Sequence, residues 1–135
     1  VGLNWRAGKG ERLILQVADA PPHDGDAGSY LSTAKAAADR GVQIFTLGAS
    51  GVGDGAEYLM RQASVATGGR YLFLTDDSGV GLAHAEPTVP CYQVTRLSRL
   101  LTRVLMTELS GRRQEAGGGE VLREVGGYDA GVCRS

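Results

Sequence analysis

Cysteine is nearly absent: Cys91 and Cys133 are the only two in 135 residues. They are too few and too far apart to read as a disulfide framework or a zinc knuckle, so free thiols are the expected state. No apolar run approaches the roughly 18 residues a membrane-spanning helix needs, so membrane insertion is not expected. No charged, apolar and small-residue succession of a signal peptide opens the chain either. An excess of one charge is also missing. A net charge of -1 supplies no drive toward nucleic acid or anionic membranes, and neither is an expected partner. Walker A, Gly-x-Ser-x-Gly and HExxH sequences are all lacking, which removes the common signatures of nucleotide, acyl-transfer and zinc-protease chemistry. The chain opens on Val1 rather than Met, and Val1–Gly10 reads as the last turn of a helix and its exit loop, as expected for a piece of a larger domain.

What is present has the makeup of an ordinary globular chain, with 42% apolar and 21% charged residues and the length of one domain. Glycine is the exception, since the 21 glycines are roughly twice the usual share. The densest block lies in residues 114–135, which read as a flexible Gly-rich tail without apolar periodicity. Residues 1–113 form the body.

Within the body the hydrophobic period alternates. Leu13-Ile14-Leu15 with Val17-Ala18 is a continuous apolar run, as in a strand covered on both faces of a parallel sheet. Tyr30 to Arg40 predicts a helix with Ser29 as N-cap and Gly41 as its stop. A second buried strand is predicted over Val42 to Leu47, a helix over Ala56 to Thr67 ended by Gly68-Gly69, and a third strand over Arg70 to Leu74. Val94 to Arg113 predicts the longest helix, with Arg96, Arg99 and Arg103 on a solvated face. Three strands alternating with helices indicate an α/β class with a parallel sheet. The expectation is a partial doubly wound, Rossmann-like sheet whose N-terminal half is missing.

Ligands of such sheets gather beyond the carboxyl ends of the strands. The first strand ends in Asp19, followed by His23, Asp24 and Asp26 in a proline-stiffened loop. Oxygen ligands there suit Mg²⁺, Mn²⁺ or Ca²⁺, although a strand-end Asp also serves to cap loop N–H groups. The third strand runs into Asp76-Asp77-Ser78-Gly79, a second acidic cluster that is equally ordinary turn chemistry. His84 and Glu86 follow, and with His23 and Asp24 they sketch a zinc set that lacks any fixed ligand spacing. The Gly48 to Gly55 loop is out of order for a dinucleotide fingerprint and reads as a plain connection with Asp54 near a helix N-terminus.

The run Leu13 to His23, the unit Ala36 to Gly48, and Ala63 to Leu74 with its Ala66-Thr67-Gly68-Gly69 resemble the C-terminal half of a von Willebrand factor type A domain. The resemblance covers roughly residues 12–110. It implies a Rossmann-like sheet with a metal-ion-dependent adhesion site: an Asp-x-Ser-x-Ser motif, a Thr on a middle loop, and an Asp after the fourth strand. Only the last has a counterpart, Asp19; the other ligands would lie upstream of Val1. The resemblance further implies a non-enzymatic protein-binding module that holds Mg²⁺ or Mn²⁺, with Ca²⁺ as an option, and meets a partner carboxylate through it. His23, Asp24, Asp54, Asp76, Asp77 and His84 would line the rim. One carboxylate supplies too few of the six oxygens of Mg²⁺ for tight binding by this chain alone. The alternatives are a metal-assisted hydrolase using Asp19, His23, Asp24, Asp76 and His84, or a truncated product that does not fold stably.

Overall fold

The computed structural model describes residues 5, 7–8, 10–49, 52–80, 83–84, 86–130 and 132–134. The chain divides into two compact units, Val1–Gly48 with Val52–Leu72, and Ala49–Gly51 with Phe73–Ser135. The expected last helical turn in residues 1–10 falls mostly outside the described residues.

In the first unit, β1 (Leu13–Ala18), α1 (Ala27–Ala38), β2 (Gln43–Gly48), α2 (Asp54–Ala66) and β3 (Tyr71–Phe73) follow one another, with the last residue of β3 passing into the second unit. The strands form one sheet in the order β1-β2-β3, and β1 pairs with β2 in parallel from Leu13↔Gln43 to Ala18↔Gly48. Parallel neighbours need a crossover, which α1 supplies. The α/β class with a three-stranded parallel sheet therefore holds. Ala34 of α1, Ile44 of β2 and Ala63 of α2 are buried together, with Ile14, Tyr30 and Ala37 against them. Small side chains at these helix positions let both helices lie close on the sheet and on each other.

Three hydroxyls complete this core. Thr46, fully buried, shares a hydrogen bond with Ser64 at 2.8 Å and donates to the Met60 carbonyl. Thr67 accepts the Ile44 N–H at 2.9 Å and turns its own proton toward the Ala63 and Ser64 carbonyls. The end of α2 is thus tied to β2 through groups that burial would otherwise leave unpaired. Gly41 and Gly68, both at positive φ, reverse the chain after each helix as expected.

Side chains alternate across a strand, and β1 is covered on one face only. Ile14 points to the helices, whereas Leu15 and Val17 are 47% and 58% exposed. The expectation of burial on both faces fails for β1, whose face bearing Leu15 and Val17 is open; it holds for β2, where Ile44 through Gly48 are buried. Both helices also start two or three residues earlier than the apolar period indicates, α1 at Ala27 and α2 at Asp54, since the first turn of a helix need not be apolar.

The second unit holds a 3-10 turn at Asp76–Ser78, then β4 (Tyr92–Val94), α3 (Leu97–Ser110), β5 (Arg123–Val125), β6 (Gly127–Asp129) and β7 (Val132–Arg134). β4 and β5 pair antiparallel, as do β6 and β7 in a separate ladder. Three expectations are corrected here. The helix foreseen from Val94 begins at Leu97, because Tyr92 to Val94 is a strand completed by β5. Residues 114–135 are not a structureless tail, since they carry β5, β6 and β7. Cys91 and Cys133 are not free thiols: they form a disulfide with Cα atoms 5.7 Å apart. Their separation of 42 residues concealed the pairing, which depends on the chain doubling back through β5 to β7. The arginine stripe also divides. Arg103 is only 17% exposed and bonds Glu120 at 3.0 Å and Thr95 at 3.1 Å, so it anchors the α3–β5 connection rather than facing solvent.

Candidate functional site

In the first unit the carboxyl ends of β1 and β2 point the same way. Asp19 directly follows β1 and is exposed; among the described residues its carboxylate has no hydrogen-bond or ion-pair partner. Pro21 and Pro22 stiffen the loop beyond it, and a turn closes where the Asp26 N–H donates to the His23 carbonyl at 3.0 Å. His23 and Asp24 are exposed in this turn, and Asp54 is exposed at the first position of α2, where the helix dipole favours a negative charge. Ser50 and Gly51, within the Gly48 to Gly55 loop, lie outside the described residues. Beside Asp19 is a cavity of about 150 Å³ walled by Gln16, Ala18, Pro21, Tyr30, Leu59 and Met60. The Tyr30 hydroxyl donates to Gln16 Oε1 at 2.7 Å, and burial raises the phenol pKa above its ordinary value while this bond opposes the rise.

Asp76, Asp77 and His84 belong to the second unit, where they are engaged in holding a loop. Asp76 Oδ1 accepts the His84 backbone N–H at 2.6 Å, and His84 Nε2 bonds the Val80 carbonyl at 2.7 Å. Asp77 pairs with Arg123 at 3.0 Å. The same guanidinium reaches Glu86 at 2.8 Å and lies 5.9 Å from the centre of the Tyr92 ring, while Glu86 also accepts from the Tyr92 hydroxyl. These hydrogen bonds to two carboxylates raise the Arg123 pKa. Tyr92 is raised as well, first by burial and then by its bond to Glu86. Gly81, Leu82 and Ala85 in this loop lie outside the described residues.

Asp76 and His84 are thus tied to backbone groups of their loop, and Asp77 and Glu86 to Arg123, with Tyr92 also on Glu86. Of the zinc set His23, Asp24, His84 and Glu86, for which the sequence offers no fixed ligand spacing, the first two belong to the first unit and the last two to the second, where Glu86 is bound by Arg123 and Tyr92. Sequence reasoning missed Arg123 because it lay in the presumed tail, and missed Tyr92 because its strand is three residues long. Among the described residues no group of three or more His, Cys, Asp or Glu side chains is arranged to hold a metal ion. Asp19 alone fits one position of a six-oxygen shell and does not make a Mg²⁺ site by itself. No helix among the described residues is long and apolar enough to cross a membrane. No family model, curated protein or solved structure matches the chain.

Proposed function

We propose that the chain is the C-terminal part of a von Willebrand factor type A-like, non-enzymatic protein-binding module with a Rossmann-like, doubly wound sheet. In its complete form it would hold Mg²⁺, Mn²⁺ or Ca²⁺ at the carboxyl edge of the sheet and meet a partner's carboxylate through the metal. The observation that carries this reading is Asp19: a carboxylate at the carboxyl tip of a parallel strand, exposed and without a protein partner among the described residues. A capping role would have tied it to loop N–H groups. A metal-bound carboxylate needs open lone pairs instead, and Asp19 has them. His23, Asp24 and Asp54 are the remaining rim residues of the same unit. The binding of this chain alone is expected to be weak, because the other oxygens of the shell must come from water, from the rest of the domain or from the partner.

The test is a Mn²⁺ titration of the full chain followed by amide NMR, with wild type and Asp19→Ala. Paramagnetic broadening is expected to centre on residues 18–20, with affinity no tighter than about millimolar, as for a cation held by few protein oxygens. In Asp19→Ala that broadening should disappear. Equal broadening in the two proteins would remove Asp19 as a ligand and with it the adhesion-site reading.

A further inference from the structure

The C-terminal hairpin β6–β7 is built in a way that singles out its covalent link. Its ladder joins only its own two strands, from Gly127↔Arg134 to Asp129↔Val132, and does not continue into β4–β5. Two three-residue strands are too short to be stable alone in water. Little burial compensates. Gly127, Asp129, Ala130, Val132 and Arg134 are exposed, and among the described residues of the hairpin only the cross-strand pair Tyr128 and Cys133 is half-buried. The Arg134–Asp129 ion pair lies within the hairpin and is exposed at both ends, so it contributes little.

The chain enters the hairpin through Gly126, at φ +88°, beside Cys91. A Cβ at residue 126 would stand 2.1 Å from the Pro90 carbonyl oxygen and 2.9 Å from Cys91 Cα. Only glycine fits that passage, and it acts as a pivot one residue beyond the β5 ladder. Among the described residues the other attachments gather at Cys91: its bond to Cys133 and the approach of its Sγ to the Gly127 carbonyl at 3.3 Å. β4 and β5, in contrast, have their own support: three ladder pairs, the Gln93–Glu124 bond at 2.7 Å, the edge-to-face packing of Tyr92 on Phe73 at 5.2 Å, and the Arg123 network.

From this contrast we infer that β6–β7 is a redox-held strap: oxidised, it is fastened across the start of β4; reduced, it swings free about Gly126 while β4–β5 stays folded. Reduction by a dithiol proceeds through attack of its thiolate on one sulfur and a transient mixed disulfide. It ends with Cys91 and Cys133 as two thiols and the reductant as its own disulfide. The device answers to the thiol balance of the surroundings and is independent of any metal at Asp19.

The experiment is ¹⁵N relaxation on the full chain, oxidised and then reduced with dithiothreitol, with Cys133→Ser as a reductant-free counterpart. Order parameters over residues 127–134 should fall from about 0.85 to below about 0.6 on reduction, recover on reoxidation with glutathione disulfide, and be low in Cys133→Ser throughout. Values over residues 92–94 and 123–125 should not change. An ordered hairpin in the reduced protein would overturn the inference, because other contacts would then hold it. Loss of order in β4–β5 as well would overturn it too, the bond then being a staple for the whole unit. Free thiols in the air-oxidised protein, read by intact mass after alkylation, would also end it.

Discussion

Tyr71 is held from several directions at once. Its hydroxyl occupies the space that a side chain at residue 48 would need, 2.4 Å from where a Cβ on Gly48 would stand. The Arg61 guanidinium lies 5.1 Å from its ring centre, and Arg61 is paired in turn with Glu57. Burial, with the nearby Glu57 charge adding to it and Arg61 opposing, pushes the phenol up to about 12 from an ordinary 10.0. The folded state therefore keeps the proton more tightly than the unfolded chain. The stabilisation linked to that proton is complete below pH 10 and is lost as pH rises through about 12. Urea midpoints taken across this window should fall with pH, and Tyr71→Phe should flatten the dependence. An unchanged slope in the variant would assign the alkaline loss to other groups. Asp19 differs from Tyr71 in having no hydrogen-bond or ion-pair partner among the described residues, which leaves its carboxylate open to accept.

Most elements legible in the sequence are those whose period is long enough to read; β3, only three residues long, is legible from its apolar run directly after the Gly68-Gly69 stop. β1, α1, β2 and α2 each span six residues or more, and their apolar spacing, with glycine after each helix, predicted type and order correctly. β4, β5, β6 and β7 are three residues each. A strand that short has no measurable alternation, and what makes it a strand is a partner elsewhere in the chain, as Tyr92 has in Val125. The same reason hid half of the candidate site. Asp19 is legible because a strand tip is a local feature, whereas the engagement of Asp77 and Glu86 depends on Arg123, far along the chain. Gly69 shows a tertiary requirement of this kind inside a legible element boundary. A helix stop favours a left-handed φ, yet the φ of Gly69 is not in that region, and a Cβ there would stand 2.0 Å from the Ile44 carbonyl oxygen. The close approach of the α2–β3 connection to β2 is what demands glycine. Gly69→Ala should therefore cost about 2 kcal/mol or more, toward the upper end of overpacking penalties, measured by urea unfolding. Gly55→Ala, where nothing lies within 4 Å, should be tolerated.

Taken as a molecule, the chain is two units of different construction. The first is a layered α/β unit whose strands are parallel and whose core is made by helix faces. The second joins short antiparallel ladders, one helix, charged side-chain bonds and a cross-link. Glycine excess, the compositional oddity of the sequence, belongs to both: Gly41 and Gly68 reverse the chain after helices, and Gly126 lets it pass Cys91. The cross-link has one more consequence. Cys91 stands ahead of β4 and Cys133 lies in β7, so α3, β5 and the long connection between them lie within a covalent ring. A single proteolytic cut anywhere between the two cysteines, for example in the largely exposed connection over residues 112–119, opens the ring without releasing a fragment. Limited trypsin digestion should give one band on a non-reducing gel and two after reduction; two bands without reductant would contradict the ring. Cleavage there would leave the second unit in two pieces that remain one molecule until a reductant arrives.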